Sequence, residues 1–187
     1  MELDLLAKYP RGKRDPAARA AEKTAEDIAI ARCFGREFFD GERRHGYGGY
    51  SKAPERWAGV VSDMQAQYNS IPSVLDVGCA KGGMLREFKN RSPFMNVAGI
   101  DISDYAIGQA DPDLNCEVAD CRRLPFGSKT FSLVVSINTI HNLDRAGCIE
   151  ALQEIQRVGR RAYVTVDSYR NDEERERMFQ WNLTAQT

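Results

Sequence analysis

The chain has 187 residues, with 26 Lys and Arg against 27 Asp and Glu and a formal charge of -1, so no global field draws it to nucleic acid or to an anionic membrane. A chain of this length is one domain that buries roughly 70% of the surface it exposes when unfolded; its five cysteines (Cys33, Cys79, Cys116, Cys121, Cys148) include no C-x-x-C pair, which argues for reduced thiols and against structural zinc. An acidic amino terminus, and no apolar run near the ~18 residues of a membrane span, predict a soluble cytoplasmic protein with no metal site.

Residues 1–24 interleave Lys8, Arg11, Lys13, Arg14, Arg19 and Lys23 with Glu2, Asp4, Asp15 and Glu22, a mildly basic arm that reads as a solvated segment or as a lid for an anionic substrate. From Ala17 to Phe39 apolar residues (Ala21, Ala25, Ile28, Ala29, Phe38) recur at helical spacing, which predicts a helix. His45-Gly46-Tyr47-Gly48-Gly49-Tyr50 suits neither helix nor strand, because each glycine surrenders backbone entropy on ordering; it reads as a functional loop or an ordinary surface turn. Trp57, Val60, Val61 and Met64 then form the apolar stripe of a helix packed on the core.

From Ser73 onward short apolar runs alternate with helical stretches. Strands are predicted at 74–77, 97–102, 115–118, 132–137 and 162–166, with helices at 84–89, 104–110, 145–158 and 170–182. Strands separated by helices imply right-handed crossovers, hence a Rossmann-like, doubly wound α/β fold with a mainly parallel sheet. Residues 1–72 form a helical lid segment in this reading, and 73–187 the core.

Ligands on such sheets lie outside the carboxyl ends of the strands. The residues there are Asp76 with the turn Gly78-Cys79-Ala80-Lys81-Gly82-Gly83, then Asp101, Asp120, Asn138 and Asp167. Each alone is an ordinary cap or turn former; together they make a polar rim. Asp101 is placed to accept from the two hydroxyls of a ribose. Asp120 is placed to accept from an adenine amine, with the Cys121 N–H donating to a ring nitrogen. Two cofactor classes compete for this arrangement, nicotinamide dinucleotides and S-adenosylmethionine. Asp76 favours the second, being an awkward anion beside a pyrophosphate but a suitable partner for an ammonium group.

These residues resemble the class I S-adenosylmethionine-dependent methyltransferases over about residues 73–167. Val74-Leu75-Asp76-Val77-Gly78-Cys79-Ala80-Lys81-Gly82 is similar to the first motif of that family, with Ala80 where glycine is usual, and Gly99-Ile100-Asp101-Ile102-Ser103 to its second. Ala119-Asp120-Cys121 through Leu124-Pro125-Phe126, and Phe131-Ser132-Leu133-Val134-Val135-Ser136, resemble a third block in which Ser132 replaces the usual Asp, a change expected to affect loop packing more than chemistry. Phe38-Phe39-Asp40-Gly41, the Gly-Tyr loop with Trp57, and Ser136 to Leu143 resemble a bacterial subgroup acting on small molecules.

The resemblance implies that Asp76, Gly78, Cys79, Ala80, Lys81, Gly82, Asp101, Ile102, Asp120, Cys121 and Asn138 bind S-adenosylmethionine, and that Tyr47 and Tyr50 form a lid facing its sulfonium. It implies methyl transfer to a small-molecule acceptor, with a sugar hydroxyl preferred, and positioning as the main source of acceleration. His141 is the best-placed candidate base, with Asn138 and Tyr47 beside it; a packed or helix-capping histidine is the competing reading, and His45 is the weaker catalytic candidate. Asn138-Thr139-Ile140-His141 lacks the Pro-Pro-aromatic pattern of base-amine methyltransferases, so nucleic acid is not the expected substrate. The family's sheet has seven strands and only five are counted here, so the chain is a fragment, or a partner supplies the missing edge, or the sheet ends short; a bare edge at the fifth strand predicts a homodimer through it, and an incomplete fold a cofactor-binding scaffold without turnover. A nicotinamide oxidoreductase is the minor alternative.

Overall fold

The structure is a computed structural model that describes residues 3–10 and 23–186. Five strands, β1 Ser73–Val77, β2 Asn96–Asp101, β3 Cys116–Val118, β4 Leu133–Ile137 and β5 Ala162–Thr165, form one sheet in the order β3-β2-β1-β4-β5. Every pairing is parallel. The order reverses at β1, whose Asp76 pairs with Gly99 of β2 on one side and Val135 of β4 on the other. That reversal opens a crevice at the carboxyl ends of β1 and β4.

Among the described residues seven α-helices accompany the sheet: α1 Ala25–Arg32, α2 Arg36–Asp40, α3 Ala58–Tyr68, α4 Gly83–Arg91, α5 Asp104–Ile107, α6 Arg145–Val158 and α7 Asp172–Trp181. Alternation along β1 and β4 divides the core in two. Val74, Leu133 and Val135 meet Val60, Val61 and Met64 of α3 and Leu85 and Phe88 of α4 on one face. Leu75, Val77 and Val134 meet Ala151, Ile155 and Val158 of α6 on the other. Removing each such side chain from water contributes about 1.5–3 kcal/mol, and this two-sided burial holds the strand ends in fixed positions.

The strands agree with the sequence reading to within a residue or so at their ends. Two helices do not. The single helix expected over Ala17–Phe39 is broken in its described part: α1 ends at Arg32, Phe34 takes a left-handed φ of 50° and α2 restarts after Gly35. Its first residues, 17–22, lie outside the described residues, as does most of the basic arm. The helix expected over 104–110 is the single turn α5, ended at Gly108. Ser132 acts in packing as anticipated: its N–H donates to Ser73 Oγ (2.9 Å) and its Oγ accepts from the Ser73 N–H (3.0 Å), tying the starts of β1 and β4.

Candidate active site

The turn after β1 is shaped by backbone conformations that side chains resist. Gly78 (φ 84°), Ala80 (φ 49°) and Gly82 (φ 77°) are all left-handed. A Cβ on Gly78 would sit 2.1 Å from Thr139 Oγ1, so only glycine lets the ends of β1 and β4 close on each other. The Gly78 and Cys79 N–H groups both donate to Ile100 O (2.8 and 3.0 Å), folding the turn onto β2. Ala80 is left-handed without being glycine, a strained choice. Its methyl is buried with Phe39 of α2 and Ala106 of α5, so the departure from glycine packs the turn against the amino-terminal segment.

Two carboxyls flank this turn. Asp101 is buried; its Oδ2 accepts from the Ala80 N–H (2.8 Å) and its Oδ1 from the Ser103 N–H (2.9 Å). Burial pushes its pKa above the usual carboxylate range, and these N–H bonds oppose the rise. Each oxygen keeps a second lone pair for hydroxyl donors. Asp76 is 5% exposed, and among the described residues its carboxyl has no hydrogen-bond partner. Its pKa is pushed up to about 8, first by burial and then by the charge of Asp101. Two adjacent buried carboxyls, one unpartnered, call for a ligand that brings positive charge and hydroxyl groups.

The Gly-Tyr loop packs onto the same turn through Tyr50. Tyr50 packs edge-on against Phe39 (5.5 Å) and Tyr47 (4.8 Å). Its hydroxyl pKa is raised well above the ordinary value by burial, then by Tyr47 and Tyr9 and, after them, Asp76 and Asp101, so Tyr50 lies within electrostatic reach of the carboxyl pair. Tyr47 stacks on Phe39 at 5.9 Å and stays 46% exposed, on the outer side of the lid. Among the expected pair, Tyr50 is thus the inner one. The lid is bound to the turn through Lys81, whose Nζ donates to Asp40 Oδ2 (2.6 Å) and to Tyr50 O (3.2 Å).

The rest of the rim is more occupied than its sequence suggests. Asp120 accepts from Arg122 Nη2 (2.6 Å) and from its Nε (3.0 Å), and the guanidinium holds its pKa below the usual range; an adenine amine would share this carboxylate with Arg122. The half-buried Cys121 has its thiol pushed up to about 11 by burial and by Asp120. Ile102 lies 56% exposed beside Asp101, an apolar surface on the rim. Asn138 is exposed and left-handed (φ 51°), with its N–H donating to Thr165 O (2.9 Å).

His141 is buried, and its Nδ1 accepts from the Asp167 N–H (3.1 Å). Asn182 Nδ2 donates to Asp167 Oδ2 (3.0 Å) and lies 3.5 Å from His141 Nε2, while the Asn182 carbonyl is fixed by the N–H groups of Thr184 and Ala185 (both 3.0 Å). Burial lowers the His141 pKa, partly opposed by Asp167, so the ring is neutral and its one lone pair is spent on a backbone N–H. A general base must offer that lone pair to the acceptor; here the Asp167 N–H holds it. His45 has Nε2 3.2 Å from Asp27 Oδ1 of α1, while its buried Nδ1 has no hydrogen-bond partner among the described residues. Among the described residues no cluster of His, Cys, Asp and Glu forms a metal site, and no helix is long and apolar enough to cross a membrane.

The sequence reading missed Asp40, Tyr105, Thr139 and Asn182. Asp40 and Lys81 are 41 residues apart, and nothing in local pattern pairs them. Thr139 carried a signal, since a glycine at the switch point needs something close above it.

Comparison with known proteins matches residues 74–161 to a family model described as a methyltransferase domain. Cycloartenol-C-24-methyltransferase 1 of Oryza sativa subsp. japonica is 34% identical over 97 residues, covering 46% of this chain and 28% of that protein. The Arabidopsis thaliana cycloartenol-C-24-methyltransferase is 32% identical over 96 residues, with the same coverage of 46% and 28%. The chain thus spans 28% of the length of these curated relatives. Among solved structures, DesVI of Streptomyces venezuelae is 25% identical at a TM-score of 0.54, covering 66% of this chain and 54% of that one. The plantazolicin methyltransferase BpumL in complex with a monoazolic desmethylPZN analog and SAH gives a TM-score of 0.57 at 17% identity, covering 89% and 73%. The PH0226 protein of Pyrococcus horikoshii OT3 gives 0.53 at 23%, covering 70% and 63%.

Proposed function

We propose that this chain, whose residues 74–161 match a methyltransferase-domain model, is a class I methyltransferase that transfers the methyl group of S-adenosylmethionine to a small-molecule acceptor. The observation that carries the reading is the pair of buried carboxyls flanking the glycine turn, with Asp76 unpartnered among the described residues. Asp76 takes the ammonium group of the methyl donor, and the free lone pairs of Asp101 take the ribose hydroxyls. Ile102 and the Asp120-Cys121 segment flank the base, and Tyr50 closes the methionine end. When bound, S-adenosylmethionine supplies an electrophilic methyl carbon on a sulfonium. A dinucleotide fits less well, because its pyrophosphate would lie against the Asp76 carboxyl. Calorimetric titration with S-adenosylmethionine and with NAD separates the two.

The protein acts by positioning. The turn, the carboxyls and the lid fix the donor, the acceptor approaches along the rim near Asn138, and the lid excludes water. In this reading His141 pins the loop after β5 to the end of β4 and takes no proton from the acceptor; His141→Gln, which keeps an acceptor for the Asp167 N–H, retains most turnover. A sugar hydroxyl is the acceptor the sequence resemblance favours. The relatives named for sterol and plantazolicin methylation widen the panel to lipids and modified peptides. Release of S-adenosylhomocysteine across such a panel identifies the class.

One observation favours a second reading, a protein that binds the cofactor without turnover: the buried histidine at the rim offers no free lone pair. Tight S-adenosylmethionine binding with no product on any acceptor supports it.

A further inference from the structure

Asp40, the last residue of α2, belongs to neither the glycine turn nor a strand end, yet its carboxylate gathers three donor groups in four hydrogen-bond contacts. Oδ1 accepts from the Tyr50 N–H (3.0 Å) and from Lys81 Nζ (2.8 Å); Oδ2 accepts from Lys81 Nζ (2.6 Å) and from the Tyr105 hydroxyl (2.6 Å). Lys81 Nζ returns to Tyr50 O at 3.2 Å. One ion pair therefore grips both backbone groups of Tyr50, which packs with Phe39 and Ala80 on the turn that Asp101 also binds. The Lys81 side chain is 8% exposed and that of Asp40 27% exposed, so the contact is shielded enough to be geometrically specific. Beside it the Ala80 methyl, Phe39 and Ala106 make the apolar half of the same seam.

We propose that Asp40 and Lys81 are positioning residues for the amino-acid end of the methyl donor, an inference that rests on the function proposed above. Their pair does two things. It ties the Tyr50 backbone to the glycine turn, and it engages the Lys81 ammonium with Asp40, leaving Asp76 for the ammonium of the ligand. The adenosine end is held by Asp101 and the far rim and does not depend on the pair.

The test is calorimetric titration of wild type, Asp40→Asn, Lys81→Met and the double variant with two ligands: S-adenosylmethionine, and 5′-deoxy-5′-methylthioadenosine, which keeps the adenosine and lacks the amino-acid end. Each single variant is expected to weaken S-adenosylmethionine about tenfold or more, as for loss of charged hydrogen bonds, with the double variant little worse than the poorer single. Methylthioadenosine should change by less than about threefold on the same scale. Hydrogen exchange gives an independent readout: the Tyr50 amide exchanges faster in Asp40→Asn while the amides of β1 do not. If Asp40→Asn does not fold, Tyr105→Phe, which removes one donor and keeps the ion pair, should show the same selectivity in weaker form. Unchanged S-adenosylmethionine binding in the variants, or equal loss for both ligands, overturns the inference. Wild type that binds neither ligand overturns the methyltransferase reading and this inference with it.

Discussion

Asp76 is the residue on which most of the chemistry turns, and its environment makes it a pH reporter. Folding raises its pKa from the usual ~3.9 to about 8. The folded state therefore binds more protons than the unfolded state between those values. Stability from this group is full below about pH 4 and is lost as pH rises through about 8, with a slope approaching ~1.4 kcal/mol per pH unit. Urea denaturation of the ligand-free protein across pH 4 to 8 should show that decline, and Asp76→Asn should flatten it; an equal slope in the variant would mean that other groups set it. For Asp101, replacement by Ala should cost about 1.5–3 kcal/mol of S-adenosylmethionine affinity, read by calorimetry. Both carboxyls were legible in the sequence, because each follows an apolar run and each position is local. The Asp120–Arg122 pairing was not: the two lie two residues apart, but spacing does not say whether a side chain turns back on its neighbour or out to a ligand. Lys81 was placed in the turn, yet its partner Asp40 arrives from another element and left no local trace.

At the scale of elements, the five strands were readable because a buried parallel strand is a short apolar run with no competing periodicity. The lid was only half readable. Its helical spacing runs across Phe34 and Gly35, where the chain adopts a left-handed residue and divides α1 from α2, and periodicity does not register a single backbone reversal. What fixes α1 instead is its start: Thr24 caps Asp27, and Asp27 reaches back to the Thr24 N–H (2.9 Å). Thr24→Ala should lose about 0.5–2 kcal/mol, seen in a hydrogen-exchange comparison as faster exchange of the α1 amides; unchanged protection would show that α1 is held by tertiary contact alone. The lid seam adds an acid limit. Asp40, held at about 2 chiefly by Lys81 and then Tyr105, contributes stability above the unfolded value near 4 and loses it as pH falls towards 2. Near-ultraviolet circular dichroism of the lid tyrosines should change in that window, and Asp40→Asn should remove the transition.

For the molecule as a whole, the sheet order places β1 in the centre, and the two core faces meet along it. Leu75, 0% exposed, should cost 2–5 kcal/mol as Leu75→Ala, measured by urea denaturation, with a value under about 1 kcal/mol contradicting the two-sided core. Overall fold was the most legible feature, since alternating strands and helices leave few topologies. The acceptor was the least legible, since it meets a rim whose side chains are set by pairings far apart in sequence. Among the described residues β3 and β5 are the edge strands. The central claim is that a buried, unpartnered Asp76 awaits the ammonium of S-adenosylmethionine. Titrating S-adenosylmethionine into the wild-type protein at pH 7, in two buffers of different ionisation enthalpy, tests it most directly. The predicted result is binding with release of close to one proton as Asp76 ionises, a release absent in Asp76→Asn. Binding with no proton release, or a protein that takes NAD and not S-adenosylmethionine, would contradict the account.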